Sequence, residues 1–179
     1  MEKTVKIPDG ITASLDKWKV SIKGKKGILE RSFYSSLFSK RVSIKLENNT
    51  FTVNTAETRR QIKSFVGTIA SHIENMILGV QSGYEYRMKI IYMHFPMTVK
   101  VQGKEVVVSN FLGEKSPRKA SIIGGTKVEL KGDEIILTGT NKEEVGQTAN
   151  LIERATWIKA RDRRVYQDGC FITSRGVAT

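Results

Sequence analysis

The sequence predicts an α+β fold of two tandem, similar domains, each a set of antiparallel strands packed with one α-helix, produced by internal duplication. Three observations carry this expectation. Strand-like segments of alternating polarity fill the first part of each half, an amphipathic helix follows them in each half, and the halves match at corresponding places. A chain of 179 residues can hold one good core or two small ones. The repeat divides it into domains 1–82 and 83–179.

In the first half, residues 3–7 alternate and run into Pro8-Asp9-Gly10. Proline presets φ there and glycine accepts a positive value, which is the chemistry of a turn. A second strand-like piece follows. Residues 19–24 and 27–33 flank Gly24-Lys25-Lys26-Gly27 as a hairpin, and residues 42–47 and 50–54 flank Asn48-Asn49 as another. A helix from about 57 to 78 closes the half. Ile62, Phe65, Val66, Ile69, Ile73, Met76 and Ile77 form its buried stripe, and Gly79 is its expected stop.

The second half repeats the order. Residues 84–92 alternate, 98–102 and 105–110 bracket Gly103-Lys104, and 126–131 and 134–139 flank Gly132-Asp133. The helix then starts at Asn141, three residues ahead of Glu144. At that spacing an N-cap side chain and the N3 carboxylate satisfy each other's orphan amides. Val145, Thr148, Ala149, Ile152 and Ala155 give this helix one apolar face, and a short strand ends the fold after the following loop.

The repeat rests on three matches. Ile44, Phe51 and Val53 align with Val128, Ile135 and Leu137 at one offset of 84 residues. The cap pair Asn54/Glu57 mirrors Asn141/Glu144. Inside the helices, Gly67, Ala70, Ile73 and Glu74 mirror Gly146, Ala149, Ile152 and Glu153. The first helix is longer by about two turns between its cap and its glycine. A glycine inside a helix costs ~1 kcal/mol against alanine, so its recurrence predicts close backbone approach to a sheet.

Composition narrows the partners. Thirty basic residues stand against 18 acidic ones, a net charge of +12. That surplus favours nucleic acid first, anionic membrane second and an acidic protein third. Residues 1–83 carry 14 basic and 7 acidic side chains, and residues 84–179 carry 16 and 11, so the charge belongs to the folded surface and not to a tail. No apolar run approaches the ~18 residues a membrane span needs, and the first ten residues hold no signal-peptide core. Cys170 is the one cysteine, which excludes an internal disulfide and a thiolate metal cluster and fits a reduced, cytoplasmic compartment.

Catalytic signals are weak. His72 and His94 are the only histidines, and no His/Cys/Asp spacing points to a metal. Gly24-Lys25-Lys26-Gly27 and Gly124-Gly125-Thr126-Lys127 resemble phosphate loops only superficially, because both lie between strands. Asp162 and Asp168 read as partners of nearby arginines. The sequence predicts no enzyme and no cofactor.

Basic clusters are the stronger signal. Lys159, Arg161, Arg163 and Arg164 accompany Tyr166 and Gln167 just after the second helix. Lys115, Ser116, Arg118 and Lys119 surround Pro117 in what reads as an exposed loop, and Arg59, Arg60 and Lys63 open the first helix. Guanidinium forks suit phosphate bidentately, and Ser, Gln and Tyr supply neutral sugar and phosphate contacts. No aromatic pair on a strand offers a stacking platform, so the pattern favours structured RNA read through backbone and shape.

Particular motifs add a resemblance. The run Asn110-Phe-Leu-Gly-Glu-Lys-Ser-Pro-Arg-Lys119, the helix start Lys142-Glu-Glu-Val-Gly-Gln-Thr-Ala149 and the segment Arg161-Asp-Arg-Arg-Val-Tyr-Gln-Asp-Gly169 resemble the family of ribosomal protein six of the large subunit, number nine in eukaryotes. His72-Ile-Glu-Asn-Met-Ile77 and Tyr92-Met-His-Phe-Pro-Met-Thr-Val99 match as well, so the likeness spans the chain in order. It is of the archaeal or eukaryotic type. Bacterial members carry a Pro-Glu-Pro-Tyr-Lys-Gly-Lys-Gly type segment where this chain has Asp162-Arg-Arg-Val-Tyr-Gln-Asp-Gly169. The resemblance implies a structural constituent of the large subunit that binds large-subunit rRNA near the sarcin–ricin region and the stalk base. Neighbouring ribosomal proteins and translation elongation factors would be close by, with no membrane partner. It also implies that the second domain holds the main rRNA contacts, which adds Arg154 to the candidates above. The alternative is a non-ribosomal structured-RNA-binding or RNA-processing factor on the same scaffold.

Overall fold

A computed structural model describes residues 1–47, 49–93, 95–159 and 161–178. Asn48 of the second hairpin signal and His94 therefore lie outside the described residues. The chain divides into two compact units, Met1–Ser82 and Gly83–Thr179.

The first unit runs β1 (Glu2–Lys6), β2 (Thr12–Asp16), β3 (Lys19–Gly24), β4 (Gly27–Ser32), β5 (Ser43–Glu47), β6 (Thr50–Asn54) and α1 (Arg60–Gln81). Two antiparallel sheets form, ordered β1-β6-β5 and β2-β3-β4. Along α1 the residues Ile62, Val66, Ile69, Ile73, Met76 and Ile77 are buried against Ile22, Phe51 and Val53, while Phe65 is half-buried with its ring 4.9 Å from that of Phe38. Spacings of three and four put these side chains on one stripe.

Both ends of α1 depart from the sequence expectation. Asn54 is committed to the ladder, paired with Glu2 and Ser43, so it cannot cap. The amide of Glu57 donates instead to Thr55 Oγ1 at 3.2 Å, and α1 starts after Arg59, which makes no side-chain cap bond. At the far end Gly79 is buried within the helix, and Gly83, at φ +78°, follows the C-cap Ser82. The β3–β4 turn closes this end. Lys26 N donates to Val80 O at 3.0 Å and Lys26 Nζ to Ser82 O, placing a cation on the negative end of the helix dipole. A Cβ on Gly24 would lie 2.8 Å from Val80 O, so this glycine marks a true close approach.

The second unit runs β7 (Tyr84–Ile91), β8 (Thr98–Gln102), β9 (Glu105–Ser109), a 3-10 turn (Phe111–Gly113), β10 (Arg118–Ser121), β11 (Lys127–Lys131), β12 (Glu134–Gly139), α2 (Lys142–Ala155) and β13 (Gly169–Val177). Its sheets are ordered β10-β9-β8 and β11-β12-β7-β13. Phe111, Met88, Ile135, Leu137 and Ile152 are fully buried at its centre. The duplication is visible in the register. Ile44 faces Val53 and Leu46 faces Phe51 in one unit, as Val128 faces Leu137 and Leu130 faces Ile135 in the other. The β1-β6-β5 sheet thus corresponds to β7-β12-β11, and β13 adds a strand on the outer side of β7.

Three further expectations need correction. Arg118 and Lys119 are on a strand, β10, paired with Val108 and Val107, so the exposed loop is only 114–117. With Ala120 its one buried residue, β10 is too short and polar to show a period. The mid-helix glycines are not close approaches: a Cβ on Gly67 would meet only Lys3 Nζ at 3.8 Å, and one on Gly146 would make ordinary contact with the Tyr86 ring at 3.6 Å. The fully buried partners are Ala70 and Ala149, one turn on. Finally, α1 has 22 residues and α2 has 14, with the extra turns distributed on both sides of Gly67.

Candidate nucleic-acid interface

The candidate interface is built on α2. Asn141 caps it, accepting from Glu143 N at 3.1 Å, and donates its amide to Glu144 Oε1 at 3.0 Å. Glu144 then turns outward from the usual capping box: its other oxygen accepts from Gly125 N at 3.0 Å. Gly124, at φ +60°, occupies a left-handed position that favours glycine, and a Cβ there would sit 2.0 Å from that oxygen and displace it from Gly125 N. Thr148, fully buried, donates to Glu144 O and accepts from Ile123 N. The 122–126 turn is therefore fixed to the start of α2, and the helix enters the sheet at one angle.

At its other end α2 delivers the cationic loop, residues 156–168. Thr156, 3% exposed, pinches the base of this loop by accepting from Cys170 N at 2.9 Å. Asp168, also buried, accepts from Met93 N at 2.8 Å. These bonds tie the loop to β13 and to the end of β7. Burial in this base pushes the Cys170 thiol up to about 12, the bond with Thr156 opposing the shift. Further out, Asp162 accepts from Arg164 N at 2.9 Å and from its guanidinium, and Tyr166 N donates to Asp162 O at 3.0 Å, giving a compact turn. Arg164 N and its guanidinium hold the Asp162 carboxyl below its ordinary range.

The cations stand on this frame. The Arg161 guanidinium lies 5.0 Å from the Tyr166 ring centre and that of Arg163 lies 4.8 Å from Trp157. Such stacking restrains the arginines while leaving their edge N–H groups available. Lys159 and Arg154 are exposed, and the side chain of Arg164 is 91% exposed. Gln167 donates to Arg164 O at 3.3 Å.

The second cluster lies at the foot of the first but divides in role. Lys115 and Ser116 are exposed in the 114–117 loop, and Lys119 makes a surface pair with Glu105 at 3.2 Å. Arg118 faces inward. It grips both oxygens of Glu114, donates to the carbonyls of Ala155 and Trp157, and stacks 4.2 Å over the buried Phe111 ring. The Arg118 bond holds the Glu114 carboxyl below its ordinary range, helped by the positive charge of Arg118 and Arg161. Sequence reasoning did not find that Arg118 closes the end of α2. It also passed over Trp157 and Phe171, aromatics left exposed beside the loop.

Among the described residues no group of His, Cys, Asp or Glu could hold a metal, and no helix is long and apolar enough to cross a membrane.

The family model for ribosomal protein L6 matches this chain twice, over residues 7–83 and 95–169. The chain belongs to the ribosomal protein L6 family. The two matched segments follow the two repeats. Among its relatives, the large ribosomal subunit protein uL6 of Methanosarcina mazei is 46% identical over 173 residues, covering 97% of this chain and 96% of that one. Those of Desulfurococcus amylolyticus and Aeropyrum pernix are 48% and 45% identical, each over 97% of this chain and over 94% and 93% of their own. Ribosomal protein L6 chains are structural and not enzymatic.

Proposed function

We propose that this chain is a structural constituent of the large ribosomal subunit that binds large-subunit rRNA mainly through its second unit. The observation that carries the reading is the 156–168 loop, five exposed cations counted with Arg154, against one exposed carboxylate, on a base pinned by Thr156 and Asp168. A rigid cationic edge of this kind binds phosphate without ordering itself first, so little entropy opposes binding. Lys115, Ser116, Lys159, Arg161, Arg163 and Arg164 contact phosphate and sugar, with Arg154, Lys119, Tyr166 and Gln167 beside them. Arg118 acts from behind by holding the two loops together.

The grip is on rRNA near the sarcin–ricin region and the stalk base, next to neighbouring ribosomal proteins, where it supports the cytoplasmic docking site of translation elongation factors. The near-full-length likeness to relatives named as large ribosomal subunit proteins supports the assignment to that subunit. Sedimentation of cell extract is the test. The chain should co-migrate with large subunits through a moderate salt wash. Migration as free protein, or with other RNA, would instead make it a non-ribosomal RNA-binding or processing factor.

A further inference from the structure

A groove of about 810 Å³ opens in the second unit between the end of α2, the cationic loop and β13. Its volume lies in the range that accepts a small ligand. The apolar walls are Trp157, Phe171, Ile91 and Tyr166, and Arg154 and Arg163 stand on its rim. Trp157 remains 48% exposed and Phe171 37%, although both belong to a compact unit with a well-filled core. The carboxylates that reach the groove are engaged with backbone: Glu153 accepts from Ile172 N at 3.5 Å and Asp168 from Met93 N at 2.8 Å. Flat apolar walls beneath a cationic rim fit a planar aromatic ring joined to anionic groups.

We propose that this groove holds one unstacked RNA base, extruded from a helix or taken from a bulge, with its flanking phosphates on Arg154 and Arg163. The proposal rests on the rRNA-binding reading and goes beyond it, because phosphate contacts fix position while a captured base selects one nucleotide site. The cationic rim favours nucleic acid over an apolar segment of protein, which would leave both guanidiniums without anionic partners. Arg163 stacked on Trp157 forms a surface that a base can extend.

The test uses the full chain and large-subunit rRNA extracted from purified subunits, with affinity measured across a salt series. Trp157→Ala should weaken binding roughly ten- to a hundredfold, the usual loss for one stacked base, at an unchanged log–log salt slope because no phosphate contact is lost. Trp157→Phe should restore most of the affinity, and Phe171→Thr in the same groove should repeat the loss. Circular dichroism and melting confirm the fold of each variant. If Trp157→Ala unfolds, Phe171→Thr and Trp157→Phe decide. Unchanged affinity overturns the proposal, as does a shallower slope, which would mean that Trp157 only props Arg163. Unchanged rRNA affinity with poor retention in large subunits assigns the groove to a neighbouring protein and overturns it as well. If the wild-type chain binds rRNA without salt dependence, the parent reading itself fails.

Discussion

The Arg118 guanidinium donates to the carbonyl of Ala155, the last residue of α2, at 2.9 Å while its other nitrogens hold Glu114 at 2.8 and 2.5 Å. One side chain thus satisfies a helix-end carbonyl, neutralises a carboxylate and fastens the 114–117 loop beneath the arginine loop. Arg118→Leu should lower stability by about 1–2 kcal/mol, since it removes the bond to the partly buried Ala155 carbonyl and the stacking on Phe111, while the exposed Glu114 is resolvated by water. It should weaken rRNA binding while leaving the salt slope unchanged. Urea unfolding and a salt series on the same variant check both halves.

Gly124 and Glu144 form a second coupled pair. Gly124→Ala forces a Cβ into a left-handed position already filled by Glu144. It should cost about 2 kcal/mol or more in chemical denaturation. Adding Glu144→Ala relieves the clash, so the double variant should lose less than the sum of the two single losses, by at least ~0.5 kcal/mol.

Gly67 is the opposite case. Nothing but a flexible lysine tip approaches its missing side chain, and its backbone is helical. Gly67→Ala should raise stability by roughly 0.5–1 kcal/mol. A lower melting temperature would mean that the position is packed after all.

Cys170 gives a pH dependence of known sign. Its thiol is held protonated to about 12 in the fold, against an ordinary value of 9.0. Its contribution is therefore complete below pH 9 and is lost as the pH rises towards 12, by up to ~1.4 kcal/mol per unit. Cys170→Ala removes this slope, so the stability difference between wild type and variant should shift in favour of the variant between pH 8 and pH 10. Parallel curves for the two proteins would contradict this.

What the sequence disclosed was set by periodicity. The strands flanking Gly24–Gly27 and Gly132-Asp133 and the stripes of α1 and α2 were legible because alternation and helical spacing are local signals. The 84-residue offset was legible to the level of register, from Ile44, Phe51 and Val53 alone. The start of α1 was misread because Asn54 can serve a cap or a ladder, and strand pairing with Glu2, 52 residues away, decided it. Strand β10 was hidden because Arg118 and Lys119 look like loop residues until β9 is beside them.

The site divided along the same line. The cations of the 156–168 loop were visible as composition. Their restraint by Trp157 and Tyr166 depends on how an irregular loop folds back on itself, which no periodicity announces, and the inward turn of Arg118 depends on a contact with Ala155, 37 residues away. Trp157, between the end of α2 and the arginine-rich loop, was the one available signal for the groove.

The central claim is that the arginine loop grips rRNA phosphates. It is tested most directly by replacing Arg161, Arg163 and Arg164 together with glutamine and measuring affinity for large-subunit rRNA across a salt series. The slope of log affinity against log salt should flatten by ~1 unit per lost contact, about three in all, with the fold intact. An unchanged slope from a folded triple variant would contradict it.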